Sequence, residues 1–148
     1  MHIFVNTILT LILGTHLEKW YGSIFFFALS LLLILLVGIL CPIIMGISYI
    51  MPEWIYREES WCAVGFSGVN FSFLLICAYS GESALCRLGG FDISRKIVPW
   101  IYLVFNKLTL PESSFSVHLS GIVGALMINS CFFFLLLPRS TWLRDAES

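Results

Sequence analysis

GSIFFFALSLLLILLVGILCPIIMGISYI, residues 22–50, runs for 29 residues without one Asp, Glu, Lys or Arg. About 20 helical residues cross a hydrocarbon core about 30 Å thick, so this run is long enough to span a bilayer. Two more uncharged runs follow, Cys62 to Tyr79 and His118 to Leu137, and all nine acidic and all eight basic residues lie outside the three. Such a distribution is what the cost of several kcal/mol for a charge in lipid produces. Residues 1–17 form a fourth apolar run. The fifth, Ile97 to Leu110, is shorter and interrupted by Asn106 and Lys107, with Pro99 where the first turn of a helix needs no N–H. The predicted fold class is an all-α polytopic membrane protein with about five transmembrane helices.

Composition agrees with this reading. Of 148 residues, 59% are hydrophobic and 11% charged, and the mean hydropathy is +0.94. Soluble domains carry about 25% charged residues, so a soluble globular enzyme is excluded. A net charge of −1 and scattered basic residues leave no electrostatic footprint for nucleic acid. Cys41, Cys62, Cys77, Cys86 and Cys131 form no CxxC pair, so neither a disulfide framework nor a metal site is expected. The first residues lack the basic region and cleavage site of a signal peptide, so the chain is read as mature from residue 1. Residues 1–137 are read as one membrane domain and 138–148 as a short tail.

Five crossings place alternate loops on opposite sides. One side receives Lys19, Arg87, Arg95, Lys96, Arg139 and Arg144, and the other Arg57 and Lys107. Six against two makes the first side cytosolic, the C-terminus included. The starts of the segments at 1, 62 and 118 then share the luminal or exterior face, and the chemically capable side chains cluster at those starts.

Within Cys62-Ala63-Val64-Gly65-Phe66-Ser67-Gly68-Val69-Asn70-Phe71, a serine stands between glycines at a helix mouth. By itself this motif fits close helix packing at least as well as chemistry. His118 opens the last run, with Gly121 and Ala125 following at helical spacing; alone, it reads equally as a solvated end residue. Together they place a serine and a histidine at one membrane face on helices built for close approach, which permits a Ser–His hydrogen bond. His2 and Asn6, four apart, share a face of the first segment. His2 fits a polar terminal residue, whereas an amide at Asn6 in lipid needs a partner or a function, and such groups can donate to an oxyanion. A polar cavity lined by His2, Asn6 and Asn70 could then bring water to a peptide bond otherwise dry within the membrane.

In order and spacing, His2-xxx-Asn6, Gly14-xx-Leu17-Glu18-xxx-Gly22-Ser23, Gly65-Phe66-Ser67-Gly68 and His118-xx-Gly121 resemble the rhomboid intramembrane serine proteases. The resemblance covers almost the whole chain. It implies a rhomboid-like helix bundle, a serine endopeptidase acting on transmembrane protein substrates, and no cofactor or metal. Ser67 is implied as nucleophile and His118 as general base, without a third acidic residue. His2, Asn6 and the Ser67 backbone N–H are implied as the oxyanion and substrate-binding groups. Gly65, Gly68, Phe71 and Gly121 are implied as supporting residues, Phe71 occupying the position of an aromatic ring that packs on the histidine. The segment Ile97 to Leu110 corresponds to the family's lateral gate. Residue 1 corresponds to the start of the second of six core helices, so a first helix is expected to be missing, and Ala125 stands where a glycine is usual. The implied setting is the endoplasmic reticulum membrane and its protein quality control. The alternative is a catalytically inactive, truncated rhomboid-like protein that binds transmembrane helices.

Overall fold

The computed structural model describes residues 2–48, 66–80, 85–88, 91–109 and 114–130. Among them are five α-helices: α1 (His2–Tyr21), α2 (Ser23–Ser48), α3 (Ser67–Ser80), α4 (Val98–Thr109) and α5 (Phe115–Asn129). The bundle agrees with the expected rhomboid-like fold. Helix α2 alone among the described residues is both long and apolar enough to cross a membrane, over Ser23–Ile47 with a mean hydropathy of 3.1. Helices α3 and α5 are apolar but span only 14 and 15 residues. Their parent runs, 62–79 and 118–137, extend into residues outside those described, as do the tail 138–148 and Cys62 and Cys131.

Helix α1 stops where it does because Gly22 takes a positive φ of 85°, a conformation that suits a residue without Cβ. Gly22 N–H donates to the Glu18 carbonyl at 2.8 Å, and Phe26 N–H donates to the Gly22 carbonyl at 3.0 Å. One residue thus ends one helix and begins the next. The Ser23 hydroxyl donates to the Glu18 carboxylate at 2.7 Å, fastening the corner. Leu17 is fully buried beneath it, and a Cβ on Gly14 would stand 3.1 Å from the Phe26 ring. The string Gly14, Leu17, Glu18, Gly22, Ser23 is therefore the closure of the α1–α2 hairpin.

Phe25, Leu29, Leu33, Val37 and Cys41 recur every fourth residue along α2, and all are buried. Phe27, Leu31, Leu35, Ile39, Ile43 and Ile47 stand outward and are exposed. A helix apolar on both faces suits a solvent of hydrocarbon.

Helix α3 touches all four other helices. It runs parallel to α1, since Asn70 meets Asn6 near their starts and the Tyr21 hydroxyl lies 2.7 Å from Ser80 Oγ near their ends. It also runs parallel to α5, because Gly68 abuts Val117 and, one turn further on both helices, Ser72 reaches Gly121. Helices α2 and α4 run the other way: Phe26 faces Phe73 while Val37 faces Gly68, and Lys96 lies over the Tyr79 ring while Tyr102 faces Phe71. Alternating direction brings the starts of α1, α3 and α5 to one end of the bundle.

A feature outside the all-helical expectation is an antiparallel pair, β1 (Leu85–Leu88) and β2 (Phe91–Ser94), in which Leu88 is opposite Phe91. The sequence carries its signal, Gly89-Gly90 between two short runs, which is the composition of a two-residue hairpin. A 3₁₀ turn, Arg95–Ile97, leads into α4, whose Pro99 is buried in the first turn as its missing N–H allows.

Candidate active site

Ser67 is the first residue of α3, and Phe66 acts as its cap: Asn70 N–H donates to the Phe66 carbonyl at 3.1 Å. The N–H groups of the first turn have no intrahelical acceptor and carry the positive end of the helix dipole. The Ser67 side chain is thus next to backbone donors able to face an anion, and the residue is buried, with 7% of its surface exposed.

His118 lies in the first turn of α5. Ser114 caps that helix, its hydroxyl accepting from Val117 N–H at 3.4 Å, and His118 N–H donates to the Ser114 carbonyl at 3.4 Å. The imidazole is stacked on Phe71, with ring centroids 4.4 Å apart and planes inclined by 25°, and His118 is only 4% exposed. Phe71 is one helical turn beyond Ser67, so the ring that holds the histidine is carried by the helix that carries the serine. On its other side Phe71 meets Tyr102 of α4 at 5.2 Å, giving a series of three rings, Tyr102, Phe71 and His118.

Two glycines set the spacing of α3 and α5. A Cβ on Gly121 would overlap the Gly68 carbonyl oxygen, and a Cβ on Gly68 would come within 2.8 Å of the Val117 carbonyl oxygen and 2.9 Å of Val37 Cγ1. Three helices meet at Gly68, and no side chain fits there. Ser72, buried one turn further, donates its hydroxyl to the Gly121 carbonyl at 2.7 Å and bridges the same two helices. Ala125 is fully buried, so its methyl is accommodated on this stripe.

The α1 side of α3 is polar. Asn70, 3% exposed, donates from Nδ2 to the Asn6 backbone carbonyl at 3.1 Å and to Asn6 Oδ1 at 3.3 Å. Thr10 Oγ1 lies 2.8 Å from Asn70 Oδ1 and 2.8 Å from the Asn6 carbonyl. Asn6 and Asn70 are therefore in direct contact. The side chain of His2, like Gly65 and the Cys86 side chain, is outside the described residues.

Thr10, Ser72 and Tyr102 join the residues expected at the site. Two of them had a legible signal: Thr10 is four residues after Asn6 and Ser72 four after Gly68, each continuing a helix face already singled out. Tyr102 was hidden because its partner, Phe71, is on another helix. Among the described residues no three His, Cys, Asp or Glu side chains gather as a metal site would need.

A family model for the rhomboid domain matches residues 1–134. Rhomboid-like protein 15 of Arabidopsis thaliana is 29% identical over 150 positions, covering 100% of this chain and 37% of its own length. Human rhomboid-related protein 4 is 29% identical over 127 positions, covering 85% of this chain and 40% of its own length. The mouse protein of that name is 28% identical over the same share of each. The chain thus spans about two fifths of the length of the curated relatives it matches. No solved structure matches it.

Proposed function

This chain belongs to the rhomboid family, and on that footing we propose that it is an intramembrane serine endopeptidase acting through Ser67 and His118. The observation that carries the reading is the stack of His118 on Phe71, 4.4 Å between centroids, one turn from a serine at a helix start. An imidazole must be held in one orientation to act as a base, and a stacked ring face can hold it.

In the proposed reaction Ser67 Oγ attacks the carbonyl carbon of a peptide bond within a transmembrane segment, and His118 takes the hydroxyl proton. The negative charge that develops on the carbonyl oxygen meets the Ser67 backbone N–H and the Asn6 side-chain amide, with His2 as a further donor. Collapse of the tetrahedral species expels the amine, which receives the proton from His118 and leaves an acyl-serine. Water, deprotonated by His118, then hydrolyses the ester and regenerates Ser67. Polar side chains at Asn6, Thr10 and Asn70 give that water a place in an otherwise apolar bundle. Residues 1–137 form the membrane domain, with 138–148 as a cytosolic tail. The site faces the lumen of the endoplasmic reticulum, and the substrates are unstable membrane proteins whose helices are weakened by Gly or Pro.

The test is cleavage in proteoliposomes of a single-span substrate with a Gly-Pro interruption near its luminal end. The wild type is expected to cut it, and Ser67→Ala and His118→Ala to leave it intact. If the wild type leaves it intact but crosslinks to it as well as Ser67→Ala does, the chain binds helices without cutting them.

A further inference from the structure

The carbonyl oxygen of Asn6 has a fixed identity, unlike a side-chain amide, whose two ends can exchange by a flip. The Asn70 amide faces that carbonyl at 3.1 Å with one end and Thr10 Oγ1 at 2.8 Å with the other. An amide oxygen cannot donate to a carbonyl, so Asn70 must turn Nδ2 toward Asn6 and Oδ1 toward the Thr10 hydroxyl, whose one proton lies between Oδ1 and the Asn6 carbonyl, each 2.8 Å away. The same Nδ2 group stands 3.3 Å from the end of the Asn6 side chain. A second NH₂ there would oppose donor to donor, so the Asn6 amide presents Oδ1 to Asn70. Its own NH₂ then lies on the opposite edge of the amide plane, the edge that can donate to a developing oxyanion.

We propose that Asn70, backed by Thr10, is a positioning residue that holds the Asn6 side-chain amide in the one flip state able to stabilise an oxyanion. The inference rests on the protease reading above and adds to it a residue three positions after Ser67 that acts only through Asn6. A buried amide leaves water at a cost unless its hydrogen bonds are replaced, and Asn70 is 3% exposed yet satisfied by α1 alone among the contacts that orient it. Asn70 and Phe71 thereby divide the work of one helical turn. The first orients a group on α1 and the second a ring on α5.

A double-substitution cycle on the full chain in proteoliposomes separates positioning from simple packing. Asn70→Leu keeps the approximate volume and is expected to lower kcat about tenfold with KM unchanged, the loss typical of a misplaced catalytic group. In Asn6→Ala the group to be positioned is gone, so adding Asn70→Leu to it is expected to lower kcat less than twofold further. Multiplying losses, or a raised KM with unchanged kcat, overturns the proposal. Should Asn70→Leu fail to fold, Thr10→Val decides by the same cycle with an expected loss of about threefold. Asn70→Asp, which cannot donate to the Asn6 carbonyl when ionised, is expected not to restore kcat, and restoration would overturn the proposal. A wild type that cuts while the cycle is multiplicative defeats only this inference; a wild type that never cuts defeats the protease reading and this inference with it.

Discussion

Helix α3 is held on two sides by opposite means. Against α5 the closest approach is backbone on backbone: Gly68 and Gly121 bring the chains into contact, a Cβ on either would overlap a carbonyl oxygen or stand 2.8 Å from one, and the Ser72 hydroxyl bonds the Gly121 carbonyl beside them. Against α1 it is held by side-chain amides and hydroxyls, through Asn6, Thr10 and Asn70 at one end and Tyr21 and Ser80 at the other. The difference reflects what each seam positions. Helix separation governs whether Ser67 and His118 can meet, and the lack of a Cβ at Gly68 and Gly121 is what lets the two helices come so close. The α1 seam sets the direction in which one amide donates, which only hydrogen bonds can specify.

If the contrast is right, the α5 seam is intolerant of volume and the α1 seam of lost polarity. Gly121→Ala is expected to have the largest effect, destabilising the detergent-solubilised protein by about 1–3 kcal/mol and reducing cleavage more than tenfold. Gly124→Ala on the same helix is its control. A Cβ there would make ordinary contacts at 3.6 Å to Leu36 and 3.7 Å to Leu40, so thermal unfolding is expected to shift upward, by about 0.5–1 kcal/mol of helix preference. Next comes Phe71→Leu, which removes the ring under His118 and is expected to cut kcat about tenfold, with Phe71→Tyr retaining activity. Ser72→Ala removes the hydroxyl bridging α3 to the Gly121 carbonyl and is expected to cost about 1 kcal/mol in unfolding, leaving kcat nearly unchanged. Smallest is Tyr21→Phe at the exposed far end of the α1 seam, expected to cost no more than about 0.5 kcal/mol. Equal sensitivity of Gly121 and Gly124 to alanine would remove the distinction between the seams.

Much of this geometry could be read from residue order. Apolar runs placed the helices, and the alternation of five crossings predicted that the starts of three of them share one face. The structure gathers the starts of α1, α3 and α5 at one end. Gly68, beside Ser67, and Gly121, three residues after His118, declared a close approach, since small residues let helix backbones meet. The helix limits were less legible: the run begins at Cys62, whereas α3 begins at Ser67. Hydropathy marks what lipid tolerates and not where a helix starts; the first intrahelical bond of α3 runs from Asn70 N–H to the Phe66 carbonyl. The three-ring series and the Asn70–Thr10 contact were illegible for another reason. Each is a pairing between helices, and periodicity within one helix carries no information about the rotation of its neighbour.

The most direct test of the central claim is labelling of the membrane-embedded chain by a fluorophosphonate, followed by peptide mapping of the adduct. Modification is expected on Ser67 alone, absent in Ser67→Ala and strongly slowed in His118→Ala. Equal labelling of wild type and Ser67→Ala, or an adduct mapped to Ser72 or another serine, would contradict the assignment of Ser67 as nucleophile.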